Sequence, residues 1–149
     1  MAIEHEATAR GIQAPAMTDR QKRARWKLFA AEAVGTALLI AVGLSIVIID
    51  FGTGSPLLHL LPDPDARRAV TGFLFGTTGA SIALSPLGKE SGAHINPVVT
   101  LAFWLMGKLK PLMAVGYVAA QMVGAVVGSL PLFAWGAMGR SVAFVATEP

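Results

Sequence analysis

The sequence lacks cysteine and has little charge. None of its 149 residues is a cysteine, so disulfides, thiolate metal ligands and thiol nucleophiles are all excluded. Only 14% of the residues are charged, against about a quarter in an ordinary soluble domain, whereas 54% are hydrophobic. The shortage of charge argues against a soluble enzyme, and the apolar content argues against a disordered chain. A chain of this length holds one domain with only a few membrane crossings, at about 20 residues each.

The basic residues are concentrated near the start of the chain. No helix-turn-helix, zinc or RNA-binding motif accompanies them, so nucleic acid is not a predicted partner. Basic residues before a first apolar run mark the cytoplasmic side of a membrane protein. Residues 1–27 are therefore predicted to be a cytoplasmic, disordered basic tail of a multi-pass protein of the cell (inner) membrane. Six of the twelve basic residues lie there: Arg10, Arg20, Lys22, Arg23, Arg25 and Lys27.

Three apolar segments are long enough to cross a membrane as helices: residues 28–49, 69–87 and 112–138. The first would extend about 33 Å at 1.5 Å per residue, enough for a hydrocarbon core of about 30 Å. Residues 50–68 form an acidic loop that is predicted to lie outside, with a short apolar piece at residues 57–61. The lipid bilayer is thus a predicted partner.

The end of the third span is set by a proline. Pro131 is expected to kink or end the regular helix, because proline cannot donate to the helical ladder. An odd number of spans places the carboxyl terminus on the outer side. Residues 139–149 are predicted to be a short extracytoplasmic tail.

Small residues recur at helical spacing in the second and third spans. Gly72 and Gly76 are four residues apart, as are Gly124 and Gly128, and Gly116 lies on the same face as the latter pair. Glycines on one face let two helix backbones approach closely in lipid. These five positions are predicted to be helix-packing sites.

A shorter apolar run, residues 97–106, stands between the second and third spans. As a helix it would rise only about 15 Å, half of a bilayer, which is typical of a re-entrant piece. Asn96 and Pro97 make a good helix start, and Gly107 a good stop. The predicted fold is an all-α membrane protein with three transmembrane helices and one re-entrant half-helix, preceded by irregular backbone over residues 88–95.

A half-helix that begins at mid-membrane directs its positive dipole end and its free N–H groups at one point. Irregular backbone at that depth must be buried in protein or line a wet cavity. Such a site favours neutral solutes that form hydrogen bonds, and it repels cations.

Two stretches resemble a known family. The run from Ser91 to Thr100, SGAHINPVVT, closely resembles the first signature loop of the major intrinsic proteins, the aquaporins and glycerol facilitators. The run from Ala31 to Thr36, AEAVGT, is similar to their first-span motif. The resemblance covers residues 28–138 and implies a single aquaporin-like repeat, that is, one half of a channel built from two inverted repeats.

The resemblance implies pore-lining roles for five residues. Asn96 would donate hydrogen bonds to passing solute, with a simple helix cap as the alternative, and Pro97 would open the half-helix. Val98 stands where the family usually has alanine and would narrow the centre or be absorbed by packing. His94 would lie beside the inner vestibule, with a solvated loop residue as the alternative. Phe75 resembles the aromatic residue of the outer constriction, with ordinary packing as the alternative.

Two further residues are implied to support the loop. Glu32 matches a buried glutamate that, in the family, hydrogen-bonds to the backbone of the re-entrant loop. It is the one charged residue inside the first span, and such residues indicate a functional or a structural role. Gly92 lies in the loop itself and shares this supporting role.

The chain carries only one such box, and no second Asn-Pro motif follows. We therefore predict one half of a passive channel for water or a small polyol such as glycerol, with a second-half repeat or a homo-oligomer (a tetramer by family resemblance) as partner. A non-conducting helix-packing protein or a truncated gene product is the alternative. No GxSxG, HExxH or paired carboxylates are present, so no enzyme activity, cofactor, catalytic residue or metal site is predicted.

Overall fold

The structure, a computed structural model, describes residues 17–145, and within this range every regular element is helical. Seven α-helices and one 3₁₀ segment follow one another along the chain. They are α1 Asp19–Phe51, α2 Leu57–Leu60, α3 Pro64–Leu84, α4 Pro86–Ser91, α5 Pro97–Leu105, α6 Pro111–Ser129, the 3₁₀ segment Leu130–Trp135, and α7 Gly136–Val145.

Helix α1 is the centre of the fold. Its most extensive contacts are with α6, and α3 and α4 also pack on it. The short helix α5 rests on α6. With nine residues, α5 rises about 14 Å, so the half-length helix that the sequence predicts is present.

The first helix begins earlier than predicted. Thr18 caps it, because its hydroxyl accepts from the Gln21 N–H at 3.3 Å while the Gln21 side chain accepts from the Thr18 N–H at 2.9 Å. This reciprocal pair is a capping box, which fixes the start of a helix. The prediction of disorder is therefore wrong for residues 19–27, which are helical. Residues 1–16 of the predicted tail lie outside the described range.

The loop after α1 is shorter than residues 50–68. Helix α3 already begins at Pro64, because the Asp63 carboxylate accepts from the Asp65 N–H at 2.8 Å and caps the helix. The buried carboxylate of Asp50 accepts a hydrogen bond from the Thr71 hydroxyl, which joins the end of α1 to α3. The predicted short apolar piece is present as α2.

The irregular backbone before α5 is also shorter than predicted. Ser85 caps α4 by accepting from the Gly88 N–H at 3.2 Å, and Pro86 occupies the first helical position. Residues 86–91 are consequently helical. Only residues 92–96 remain irregular, instead of residues 88–95.

The third long apolar segment ends its regular helix at Ser129, two residues before Pro131, as the proline predicts. The Trp135 indole then donates to the Ser45 hydroxyl at 2.9 Å and ties the 3₁₀ segment to α1. Helix α7 follows, so the predicted tail 139–149 is helical up to Val145. The Ser141 hydroxyl accepts from the Thr53 N–H at 2.8 Å and holds α7 against the loop after α1.

Two stretches of the described chain are long and apolar enough to cross a membrane: Asp19–Phe51 and Pro111–Val142. Helix α3 has 21 residues and therefore the length, but its sequence contains two adjacent arginines and many glycine and threonine residues. The all-helical architecture fits a membrane protein.

Candidate functional site

The backbone before α5 is strained. Gly92 has a φ of 88°, Ala93 of 49° and Ile95 of 39°. A positive φ suits glycine but costs a residue with a Cβ about 1–3 kcal/mol, and it is a true outlier for a β-branched residue. A Cβ on Gly35 of α1 would lie 2.8 Å from the Ile95 side chain, so the missing side chain of Gly35 makes room for Ile95. Such a conformation persists only where its surroundings hold it.

The Glu32 carboxylate is what holds this backbone. The residue is fully buried, with 0% of its surface exposed. Its Oε1 accepts from the Ser91 hydroxyl at 2.7 Å and from the His94 N–H at 3.0 Å. Its Oε2 accepts from the Ile95 N–H at 2.7 Å and from the Gln121 amide at 2.8 Å. Four donors thus fill the capacity of the two oxygens.

A second layer of polar groups connects this carboxylate to α5. The Gln121 amide nitrogen also donates to the Thr100 hydroxyl, at 2.9 Å. The Thr100 hydroxyl lies 3.2 Å from His94 Nδ1 and 3.2 Å from the Asn96 carbonyl oxygen. Gln121 and Thr100 are both buried. One side chain from α6 therefore links the first helix to the beginning of the half-helix.

The His94 ring is enclosed by aromatic side chains. Its centroid lies 4.6 Å from that of Phe103 and 5.1 Å from that of Tyr117. The Tyr117 hydroxyl donates to the Ser91 carbonyl oxygen at 2.8 Å. The structure places His94 in a buried position, with 7% of its surface exposed, rather than in a solvated loop.

The other side of the half-helix start is open. The Asn96 Oδ1 accepts from the Val98 N–H at 2.8 Å and caps α5, with Pro97 at the first position. All three residues are exposed, and Val98 is 72% exposed. Buried polar groups thus hold one side of this turn, and its other side faces away from the remainder of the described chain.

Phe75 lies against α1. A Cβ on Gly43 would come within 2.3 Å of the Phe75 ring, so the ring occupies the space that this glycine leaves. The ring is half-buried in this contact. The structure thus gives Phe75 a packing role, and its proposed place in an outer constriction remains a prediction.

The glycines of α6 allow it to approach α1 closely. A Cβ on Gly124 would lie 2.2 Å from the Ala33 carbonyl oxygen, and one on Gly128 would lie 2.3 Å from the Ala37 carbonyl oxygen. Backbone meets backbone at both positions, so neither site has room for a side chain.

The remaining predicted packing glycines differ from one another. A Cβ on Gly116 would lie 2.3 Å from the Phe29 ring, which therefore fills that space. A Cβ on Gly72 or Gly76 would have no neighbour within 4 Å among the described residues. Both glycines therefore leave room for a side chain among the described residues, and we call these two positions the Gly72–Gly76 face.

Sequence reasoning missed the residues of the second layer: Thr100, Tyr117 and Gln121. A signal for two of them is present, since Tyr117 and Gln121 precede Gly124 by seven and three residues and share its helical face. Polar side chains inside an apolar helix indicate a function or a buried partner.

The arrangement is suited to hydrogen bonding rather than to bond breaking. Residues 17–145 contain no group of three His, Asp or Glu side chains that could hold a metal ion. The one carboxylate of the site is saturated by donors and sealed from solvent. The exposed groups of the site are the Asn96 amide and the amino-terminal end of α5.

Comparison with known proteins points to a single family. The family model described as major intrinsic protein matches residues 19–148. A probable aquaporin of Archaeoglobus fulgidus is 37% identical over 116 residues, which is 70% of this chain and 45% of that protein. The lens fiber major intrinsic protein of Gallus gallus is 32% identical over 117 residues, 78% of this chain and 40% of that protein.

An aquaglyceroporin of Rhizobium meliloti is 38% identical over 101 residues, which is 66% of this chain and 39% of that protein. The chain thus spans less than half the length of these curated relatives.

Proposed function

Because the chain belongs to the major intrinsic protein family, whose members are channels rather than enzymes, we propose that it supplies one half of a passive channel for water or small neutral solutes. The observation that carries the proposal is the open turn at the start of α5. On its buried side the Ile95 backbone N–H donates to the Glu32 carboxylate, while Asn96 and Val98 are exposed on the other side.

Asn96 is prepared to act as a donor. Its Oδ1 is occupied by the Val98 N–H, so the amide NH₂ remains for a solute oxygen. The positive end of the α5 dipole lies at the same place and disfavours a cation. Neutral molecules that accept hydrogen bonds, such as water or glycerol, fit this combination.

A second repeat completes the pore in this proposal. The family resemblance implies two inverted repeats, and this chain matches less than half the length of its relatives. The exposed face of α5 would meet the second half, supplied by another chain or by a further copy, with a tetramer as the assembly. We place the protein in the inner membrane with α3 as a third crossing, α5 re-entrant, and the basic amino terminus in the cytoplasm.

The test is stopped-flow swelling of proteoliposomes. We expect no water or glycerol flux above the lipid background from the chain alone. Flux should appear when the carboxyl-terminal half of the Rhizobium meliloti aquaglyceroporin is co-reconstituted. Asn96→Ala should then reduce it at least tenfold, whereas Leu112→Ala on the exposed surface of α6 should not. Absence of flux with every second half tried, despite a stable complex, would contradict the proposal.

Val98 gives a test of solute size. Because 72% of its surface is exposed beside Asn96, Val98→Ala should widen the centre by two methyl groups. We expect glycerol flux to rise about tenfold or more and water flux to change by less than about twofold, since a single methylene group is worth about 1–3 kcal/mol of selectivity, or about 10–200-fold. Equal changes for both solutes would show that Val98 does not line the path.

A non-conducting role in helix association is the second candidate. The observation that favours it is the Gly72–Gly76 face, where a Cβ at either glycine would have no neighbour within 4 Å among the described residues. Cysteines introduced beside Gly72 can be crosslinked between copies of the chain, in a preparation that conducts and in one that does not. The comparison discriminates the channel from the non-conducting role. Association of the chain without flux under any pairing supports this candidate.

A further inference from the structure

The amino-terminal part of α1 extends beyond any bilayer core. A helix of 33 residues is about 50 Å long, whereas the hydrocarbon core is about 30 Å thick. Trp26 is 70% exposed near this end, and exposed tryptophans at the ends of membrane helices lie at the level of the lipid headgroups. The turns around Trp26 are therefore at headgroup level.

A basic groove lies at this level, between α1 and α4. It has a volume of about 560 Å³. Arg20, Arg23 and Lys27 line it from α1, and Glu90 lines it from α4. The three cations are spaced by three and four residues, so they project from one face of the helix. Asp19 and Ala24 complete the lining.

The groove has an excess of positive charge. Of its two carboxylates, Asp19 lies 3.6 Å from the Lys22 ammonium, which lies outside the groove. Among the residues that the structure describes, Glu90 is then the carboxylate left to balance three cations. Guanidinium groups bind phosphate oxygens through paired, charge-assisted hydrogen bonds, which are stronger than neutral ones.

We propose that the basic groove binds the phosphate of an anionic phospholipid headgroup. The level of Trp26 selects a lipid rather than a soluble anion, because the cations sit within one or two turns of that residue. Basic side chains near a membrane surface each contribute attraction to anionic lipid, and three cations on one face of α1 concentrate that attraction at the groove. The proposal is independent of conduction.

The test compares lipid adducts on the full chain by native mass spectrometry. The protein, in nonionic detergent, is given equal amounts of phosphatidylglycerol and phosphatidylcholine. We expect phosphatidylglycerol to be retained about fivefold more than phosphatidylcholine. The double variant Arg23→Gln, Lys27→Gln should abolish this preference, and Glu90→Gln should increase it.

The matched control removes the same charge from the same two helices outside the groove. Arg25→Gln, Lys89→Gln should retain most of the preference, because neither residue lines the groove. Equal losses in the two double variants would show attraction by net charge alone and overturn the proposal. Circular dichroism of each variant establishes that the helices are intact.

A competition arm separates a lipid from a free anion. Inorganic phosphate is added at the same ionic strength as a chloride control. Retention of phosphatidylglycerol should fall only when phosphate is in large excess over the lipid, because the acyl chains add apolar contact that a free anion lacks. Displacement by equimolar phosphate would assign the groove to a soluble anion and overturn the lipid proposal.

Discussion

Replacing Glu32 with glutamine is expected to lower the free energy of unfolding by about 3 kcal/mol, because a buried acceptor that serves four donors is lost. A carboxamide has one oxygen and an NH₂ group. If the NH₂ takes the place of Oε1 it faces the His94 N–H, and if it takes the place of Oε2 it faces the Ile95 N–H. Either orientation opposes two donors and leaves a backbone N–H unpaired.

Titration with sodium dodecyl sulfate from mild detergent, followed by circular dichroism, measures this loss. Glu90→Gln is the matched control, since it is the same substitution at an exposed site on α4 and should change stability by less than about 0.5 kcal/mol. Hydrogen exchange gives a second readout. Amides of residues 92–96 should exchange faster in Glu32→Gln while those of α3 stay unchanged. Equal stability of the two variants would contradict the role of Glu32.

The sequence is sufficient to predict the half-helix because its signals are local. Asn96 and Pro97 form a helix start within two residues, and the apolar run behind them is too short to cross a bilayer. The signal for the start of α1 is equally local, yet the predicted disordered tail is wrong there. Thr18 and Gln21 form a capping box, whereas the density of charge before Leu28 favours a tail.

The polar layer around Glu32 could not be predicted in the same way, because its partners are far apart in sequence. Gln121 follows Glu32 by 89 positions and Ser91 follows it by 59. Periodicity shows which face of α6 is packed, but not which helix it meets or at what height. The register of α6 against α1 depends on backbone contacts at Gly124 and Gly128, which exist only in the tertiary structure.

The same limit applies to Phe75 and Gly43. Each is unremarkable in its own segment, and their relation exists only because α3 crosses α1 where the glycine leaves room for the ring. A resemblance can assign Phe75 a pore role, but only geometry shows what the ring touches. A functional assignment to Phe75 therefore requires the second half to be present.

Gly124→Ala is the second substitution with a large expected effect. Its Cβ would lie 2.2 Å from the Ala33 carbonyl oxygen, and backbone atoms cannot rotate away as a side chain can. The two helices must separate, and overpacking of this kind costs about 3 kcal/mol. Because Gln121 is one turn away on the same helix, its hydrogen bond to Glu32 should weaken as well, so exchange at residues 92–96 should increase.

Gly72→Ala is the control that makes this result informative. It is also a glycine inside a helix, but a Cβ there would meet none of the described residues within 4 Å, so the higher helix propensity of alanine should raise stability by up to about 1 kcal/mol. The same detergent titration measures both variants. If a second repeat docks on the Gly72–Gly76 face, Gly72→Ala should stabilise the isolated chain and yet weaken the complex, as measured by co-purification. If Gly72→Ala stabilises the isolated chain but weakens the complex, the Gly72–Gly76 face is the binding surface for the second half. If it stabilises both the chain and the complex, the second half binds elsewhere.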